Sequence, residues 1–224
     1  MCRPDLCVAV QRLAAQVTRW SGECDRRLHR LCCYVFGSTA LSLSGSLSES
    51  DKSCLRLVAW PDADLNGDVM SSKSTSGFFL ELAGAGGRAM PLAWGSKRQG
   101  CTSSHTCEAE VVSLSSALRT ELLPAQVLLE MILSRPIEAV LKEDNSATIV
   151  SCNKGYSPAM RYVNRTQRVS LGFINDVLKR EEEPGEGKVV LEKAPTLEHK
   201  GDMFTKAIDT SAKFKRALEM INMA

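Results

Sequence analysis

The chain has 224 residues, 44% of them apolar, with 28 Lys and Arg against 26 Asp and Glu; it can bury one sizeable core plus a short appendage, and a net charge of +2 means that any polyanion partner must meet a local patch. Nine cysteines, an odd number with no paired C-x-x-C or Cys/His zinc spacing, read as reduced thiols. No apolar run approaches the roughly 20 residues of a membrane span, and Arg3, Asp5 and Arg12 interrupt any signal peptide, so the expectation is an intracellular protein, cytoplasmic or nuclear, not secreted and with no membrane partner.

Two helices are expected over residues 1–36, with Leu6, Val10, Leu13 and Val17 and then Leu28, Leu31 and Val35 at helical spacing. A Ser/Gly-rich linker or hairpin follows over 37–54, and one domain is expected over 55–224. Three short strands open it, Leu55 to Trp60, Gly77 to Ala83 and Ala89 to Ser96, as an antiparallel meander whose third member carries Pro91 and so belongs at an edge or bulge. A long helix is expected next, capped by Thr106, with Glu108 and Glu110 in its first turn and Val111, Leu114, Leu118 and Leu122 on its buried face. Pro124 should kink or divide it.

Ile137 to Lys142 reads as a fourth strand, and helices are expected near Asn145 and from about Thr166 to Arg180. A turn between Pro184 and Gly187 leads to a fifth strand, Lys188 to Ala194, and terminal helices follow Lys200. The order βββαβαβα predicts an α/β fold: a mixed five-stranded sheet, with helices on both faces and a short N-terminal helical appendage.

Four carboxylates stand at telling places in this order. Asp62 follows the first strand, Glu110 lies near the start of the long helix, Asp144 closes the fourth strand, and Asp202 opens the final helical region. Ligands collect at strand ends in open α/β sheets. Acids gathered there repel one another and need a cation, and hard divalent ions with oxygen ligands supply it. Two such ions could activate a water and stabilise the leaving oxygen of an in-line displacement. Singly, each acid is as well explained as a turn former, a cap or an answer to a helix dipole; the ordered set carries the weight.

That set lies within a longer pattern. Pro61 to Asp68 (PDADLNGD), Lys73 to Gly77 (KSTSG), Trp94 to Gln99 (WGSKRQ), Cys107 to Val111 (CEAEV), Glu143 to Ala147 (EDNSA), Arg165 to Arg168 (RTQR) and Gly201 to Lys206 (GDMFTK) resemble, in order, seven blocks of the ribonuclease H domain of copia-type retrotransposon Pol polyproteins. Upstream, Arg3 to Leu6 with Ala9 and Val10 is similar to the tail of the adjoining reverse transcriptase. The resemblance implies a ribonuclease H-like fold and cleavage of the RNA strand of an RNA/DNA hybrid. It implies two Mg²⁺ (or Mn²⁺) ions held by Asp62, Glu110, Asp144 and Asp202, which would be both the catalytic and the metal-binding residues. The rest of a reverse transcriptase polyprotein becomes a candidate partner. Leu65, Cys107, Val111 and Arg168 depart from the family pattern where it has Trp, Thr, Tyr and His; none of the four acids is lost.

Candidate nucleic-acid contacts are Lys73, Ser74, Thr75, Ser76, Lys97, Arg98, Gln99 and Asn145, suited to gripping phosphates and 2′-hydroxyls of a hybrid. Arg161, Arg165, Arg168, Lys179 and Arg180 offer further positive charge before Glu181, Glu182 and Glu183 end the run. His199, three residues before Asp202, is a candidate proton shuttle, and His105 a capping or surface residue. Asp62 to Gly67 also copies the start of an EF-hand loop, but Lys73 stands where that loop needs a bidentate Glu. A second functional reading is a catalytically inactive remnant of a transposon polyprotein that only binds nucleic acid, since the chain starts within what resembles a polymerase's end and carries no Y-x-D-D motif.

Overall fold

Side chains alternating about Leu57, Ala59 and Trp60 make a strand at the middle of the sheet, β1 (Arg56–Asp68). In the computed structural model, which describes residues 3–68, 71–180 and 187–224, β2 (Lys73–Ala83) and β3 (Ala89–Arg98) complete an antiparallel meander with it. β4 (Glu138–Glu143) and β5 (Val189–Lys193) add in parallel on the other side. The sheet order is β3-β2-β1-β4-β5, the mixed five-stranded sheet expected for a ribonuclease H-like fold. β3 is an edge strand, and the register slips opposite Pro91, at Leu80/Glu81, because proline has no N–H for the ladder. β1 runs eight residues beyond the predicted end at Trp60; Pro61 is tolerated because the pairing with β4 has ended at Ala59.

Helices cover both faces. In the N-terminal segment α1 (Cys7–Ala14) and α2 (Gly22–Gly37) form as expected. After the meander come α3 (Thr106–Ala117) and α4 (Leu123–Leu133). Leu57, Ala59, Leu80 and Leu82 on one face of the sheet pack under Val111, Leu114, Leu118 and Leu122, the stripe that the sequence marks. The helix divides at Pro124, as expected, into α3 and α4. A π-helical turn, Leu118–Leu122, separates the two and places Pro124 within the first two positions of α4, where its missing N–H is harmless.

Beyond β4, α5 (Ser146–Lys154) begins at Asn145 as predicted. The single helix expected from Thr166 to Arg180 is two, α6 (Val163–Gln167) and α7 (Leu171–Lys179). Arg168 between them has φ 57°, a left-handed conformation that ends a helix. The basic residues therefore do not share one helix face, while Glu181 to Glu183 and most of the turn expected at Pro184 to Gly187 lie outside the described residues. The opposite face of the sheet carries Phe79 under Phe204, Met203 and α8 (Ser211–Met220), through Ala217 and Leu218. Asp202 does not open α8, as expected of the final helix, but sits on a separate 3-10 turn, Lys200–Phe204.

The Ser/Gly-rich segment expected as a linker is hydrogen-bonded along the domain: Leu43 bridges Met223, and the Ser46 N–H donates to the Ala89 carbonyl. Among the described residues no helix is long and apolar enough to cross a membrane.

Candidate metal centre

Asp62 is the hub of the site. Its strand pairs with β4 as far as Ala59↔Leu141, and beyond that last pair carboxylate oxygens of Asp62 and Asp144 come within 4.8 Å. From α3, the Ser113 hydroxyl lies 2.7 Å from the Asp62 carbonyl and 3.2 Å from that of Gly77, which fixes the helix against β1 and β2 one turn beyond Glu110. His105, not Thr106, caps this helix by accepting the Glu108 N–H at Nδ1, so Glu110 stands in the second turn and not the first. The 3-10 turn bearing Asp202 can approach only because of two glycines. A Cβ on Gly201 would lie 2.7 Å from the Trp60 carbonyl and 2.8 Å from Asp62 Cβ, and one on Gly77 would lie 2.7 Å from Phe204 Cβ.

The result is two triads with one member in common. Oxygens of Asp62, Glu110 and Asp144 lie within 4.8 Å of one another, and so do ligand atoms of Asp62, Asp202 and His199. Asp62 and Glu110 are buried and Asp144 and Asp202 half-buried. A cleft of about 430 Å³ lined by Asp64, Leu65, Thr106, Glu110, Asp144, Asn145 and Lys206 opens onto the first triad.

The electrostatics call for positive charge. Burial, then Asp62, Glu143 and Asp144, push the Glu110 carboxyl far above the usual carboxylate range. Burial raises Glu143 as well, with the Asn145 N–H opposing and Asp144 and Asp62 adding to the shift. Burial and Asp62 raise Asp202, against the pull of Lys206 and His199. Glu110 Oε2 and Glu143 Oε2 are buried without a hydrogen-bond partner. Lys206 answers part of this: its ammonium bonds Asp202 Oδ1 and lies 3.5 Å from Asp62 Oδ1. Burial disfavours that ammonium, but Asp62, Asp202 and Glu110 outweigh it and hold its proton above the usual lysine range. Thr205 donates to the other Asp62 oxygen. A surplus of hard oxygen donors, one orphaned on Glu110, fits divalent cations.

The candidate nucleic-acid contacts divide. Lys97 and Arg98 are exposed and line a groove with Ser76, Arg119, Gln167 and Arg168. Lys73 donates to the Gly100 carbonyl at 2.5 Å. Ser74, Thr75 and Gln99 are buried; Ser74 and Thr75 lie on opposite faces of β2, which β1 and β3 flank. Gln99 donates to Ser76 Oγ and the Ala109 carbonyl, each at 2.9 Å, and accepts from Ser103, a bracket between β3 and α3. Asn145 caps α5, accepting from the Ala147 and Thr148 N–H groups, while also lining the cleft. The EF-hand reading fails because Asp62 to Gly67 lies within β1.

Sequence reasoning missed Ser113, Glu143, Thr205 and Lys206. Thr205 and Lys206 stand in the GDMFTK block and Glu143 in EDNSA; Ser113 carries no signal of its own.

No family model matches the chain. It is 25% identical over 167 residues, 75% of its length, to the retrovirus-related Pol polyprotein from transposon TNT 1-94 of Nicotiana tabacum, and spans 11% of that polyprotein. It is 32% identical over 120 residues, 51% of its length and 75% of the relative's, to secreted RxLR effector protein 161 of Plasmopara viticola. Among solved structures, RNase H1 from Halobacterium salinarum overlaps 67% of this chain and 94% of its own, with 14% identity and a TM-score of 0.42. Seven sequence blocks in order, a mixed five-stranded sheet of the expected strand order and the similarity to that polyprotein agree: the chain is a homologue of a retrovirus-related Pol polyprotein and resembles its ribonuclease H domain.

Proposed function

We propose that this domain is a metal-dependent endonuclease that hydrolyses the RNA strand of RNA/DNA hybrids, acting inside the cell beside the rest of a reverse transcriptase polyprotein. The observation that carries the reading is Asp62, whose carboxylate belongs to both ligand triads, with Glu110 and Asp144 on one side and Asp202 on the other. Two Mg²⁺ or Mn²⁺ ions held there would supply water activation and stabilisation of the leaving oxygen.

The protein's own groups do the rest. Asp62, Glu110, Asp144 and Asp202 hold the charge in place on β1, α3, the end of β4 and the 3-10 turn. Thr205 and Ser113 fix Asp62 from either side, through its carboxylate and its carbonyl. Lys97 and Arg98, with Arg119 and Arg168 in the same groove, suit the phosphate backbone, which gives position and not sequence preference.

The test is hydrolysis of a labelled RNA/DNA hybrid with Mg²⁺ or Mn²⁺, with Asp144→Asn alongside. Cleavage by the wild type and not by Asp144→Asn supports the proposal. If both are inert yet bind the hybrid, the chain is a nucleic-acid-binding remnant; if neither binds, the hybrid reading itself falls.

A further inference from the structure

His199 is buried, 1% exposed, on the edge of the site. Its backbone N–H donates to the Thr196 carbonyl, and its ring stands edge-on to Trp60, 5.6 Å between centroids. Nε2 lies 2.9 Å from the Lys142 carbonyl. A carbonyl only accepts, so Nε2 carries the hydrogen, and in the neutral ring Nδ1 keeps its lone pair. That nitrogen has no hydrogen-bond partner although it is buried, an arrangement that costs free energy unless something occupies the lone pair.

A ring nitrogen of His199 lies within 4.8 Å of carboxylate oxygens of Asp62 and Asp202. Metal-ligating histidines commonly donate their second ring N–H to a backbone carbonyl, which fixes the tautomer and aims the free nitrogen. The Lys142 carbonyl makes that contact here. We infer that His199 is a direct metal ligand, so that the Asp62, Asp202 and His199 triad is a mixed nitrogen and oxygen site that prefers Mn²⁺ over Mg²⁺, while the all-carboxylate triad takes Mg²⁺. This rests on reading the acidic cluster as a metal centre.

The preference follows from the donors. Imidazole nitrogen suits first-row transition ions, whereas Mg²⁺ favours oxygen. Lys206 now bonds the Asp202 end of this triad; its side chain is 43% exposed, so it has open solvent into which to withdraw.

The experiment is pulsed electron paramagnetic resonance of Mn²⁺ bound to the whole chain, natural and with ¹⁵N-labelled histidine. The expected result is a histidine nitrogen coupling in the wild type that changes with the label. It should vanish in His199→Gln, where the amide can still donate to Lys142, with Mn²⁺ affinity falling about 10–100-fold and Mg²⁺ affinity nearly unchanged. Bound Mn²⁺ without nitrogen coupling, or equal Mn²⁺ affinity in His199→Gln, overturns the inference; the labelled wild type decides the matter if the variant does not fold. Hybrid cleavage with Mg²⁺ and no nitrogen coupling sinks this inference alone, and nitrogen coupling without cleavage sinks the nuclease reading alone. No Mn²⁺ binding at all removes the metal centre itself.

Discussion

Lys206 extends its ammonium to within 3.5 Å of the Asp62 carboxylate, 144 residues earlier in the chain, and bonds Asp202 at the same time. The charge stands where a bound cation would be attracted, so lysine and metal compete for the same oxygens. Lys206→Met should raise divalent-cation affinity about tenfold, the scale left after solvent screens a partly exposed ammonium. Calorimetric titration with Mn²⁺ checks this; an unchanged affinity would mean that the lysine does not compete.

Glu110 gives a pH dependence. Burial and neighbouring acids raise its folded proton affinity above that of the unfolded chain, so the folded state binds the extra proton and loses stability as pH rises out of the ordinary carboxylate range. In chelator, the melting temperature should fall steadily from about pH 5 to 8, and Glu110→Gln should flatten the slope. Saturating Mg²⁺ should flatten it too.

Asp51 behaves oppositely. Arg88, then the Ser48 N–H and the Ala85 N–H, hold its carboxyl well below the usual range, against a smaller opposing effect of burial. Stability from this group is present above the unfolded value and is lost as pH falls towards the folded one. Asp51→Asn should lower the melting temperature at neutral pH and make the decline below about pH 4 shallower; a parallel pair of acid-melting curves would contradict it.

Gly201 is a position without room. Its added Cβ would press on the Trp60 carbonyl and Asp62 Cβ, so Gly201→Ala should cost about 1–3 kcal/mol, read from denaturant midpoints at constant slope. Because the displaced turn carries Asp202, Mn²⁺ binding should weaken in the same variant.

Gln99 and Lys97 were marked together in the sequence but should part in experiment. Gln99→Ala leaves the Ser103 hydroxyl and the Ala109 carbonyl short of a partner and should destabilise by about 1–3 kcal/mol. Lys97→Ala should shift stability by less than about 0.5 kcal/mol, yet weaken hybrid binding and lower the salt slope by about 1.

Much of this could be read from the chain because strands and amphipathic helices write their period directly. Leu57, Ala59, Leu80 and Leu82 and the α3 stripe stand where alternation puts them, and Pro91 announced its edge. The break at Arg168 was not legible, since an arginine with positive φ replaces the glycine or asparagine that signals a helix stop. Ser74, Thr75 and Gln99 looked like surface polar residues because sequence does not say which polar side chains the packing covers: both faces of β2 are buried at Ser74 and Thr75, and Gln99 turns inward just after β3 to bond Ser76 and the Ala109 carbonyl. His199 could be suspected from its distance to Asp202, but its orphaned nitrogen depends on Lys142, 57 residues away.

The two triads are held by unequal supports. Asp62, Glu110 and Asp144 stand on a central strand, a helix bolted to it through Ser113, and a strand end, whereas Asp202 sits in the middle of a turn of five residues and His199 at its N-terminal flank. One half of the centre is therefore carried by the sheet and its packed helix, while the other depends on how closely a short turn is wedged against Trp60 and Asp62, so the spacing of the two triads is set by that fit.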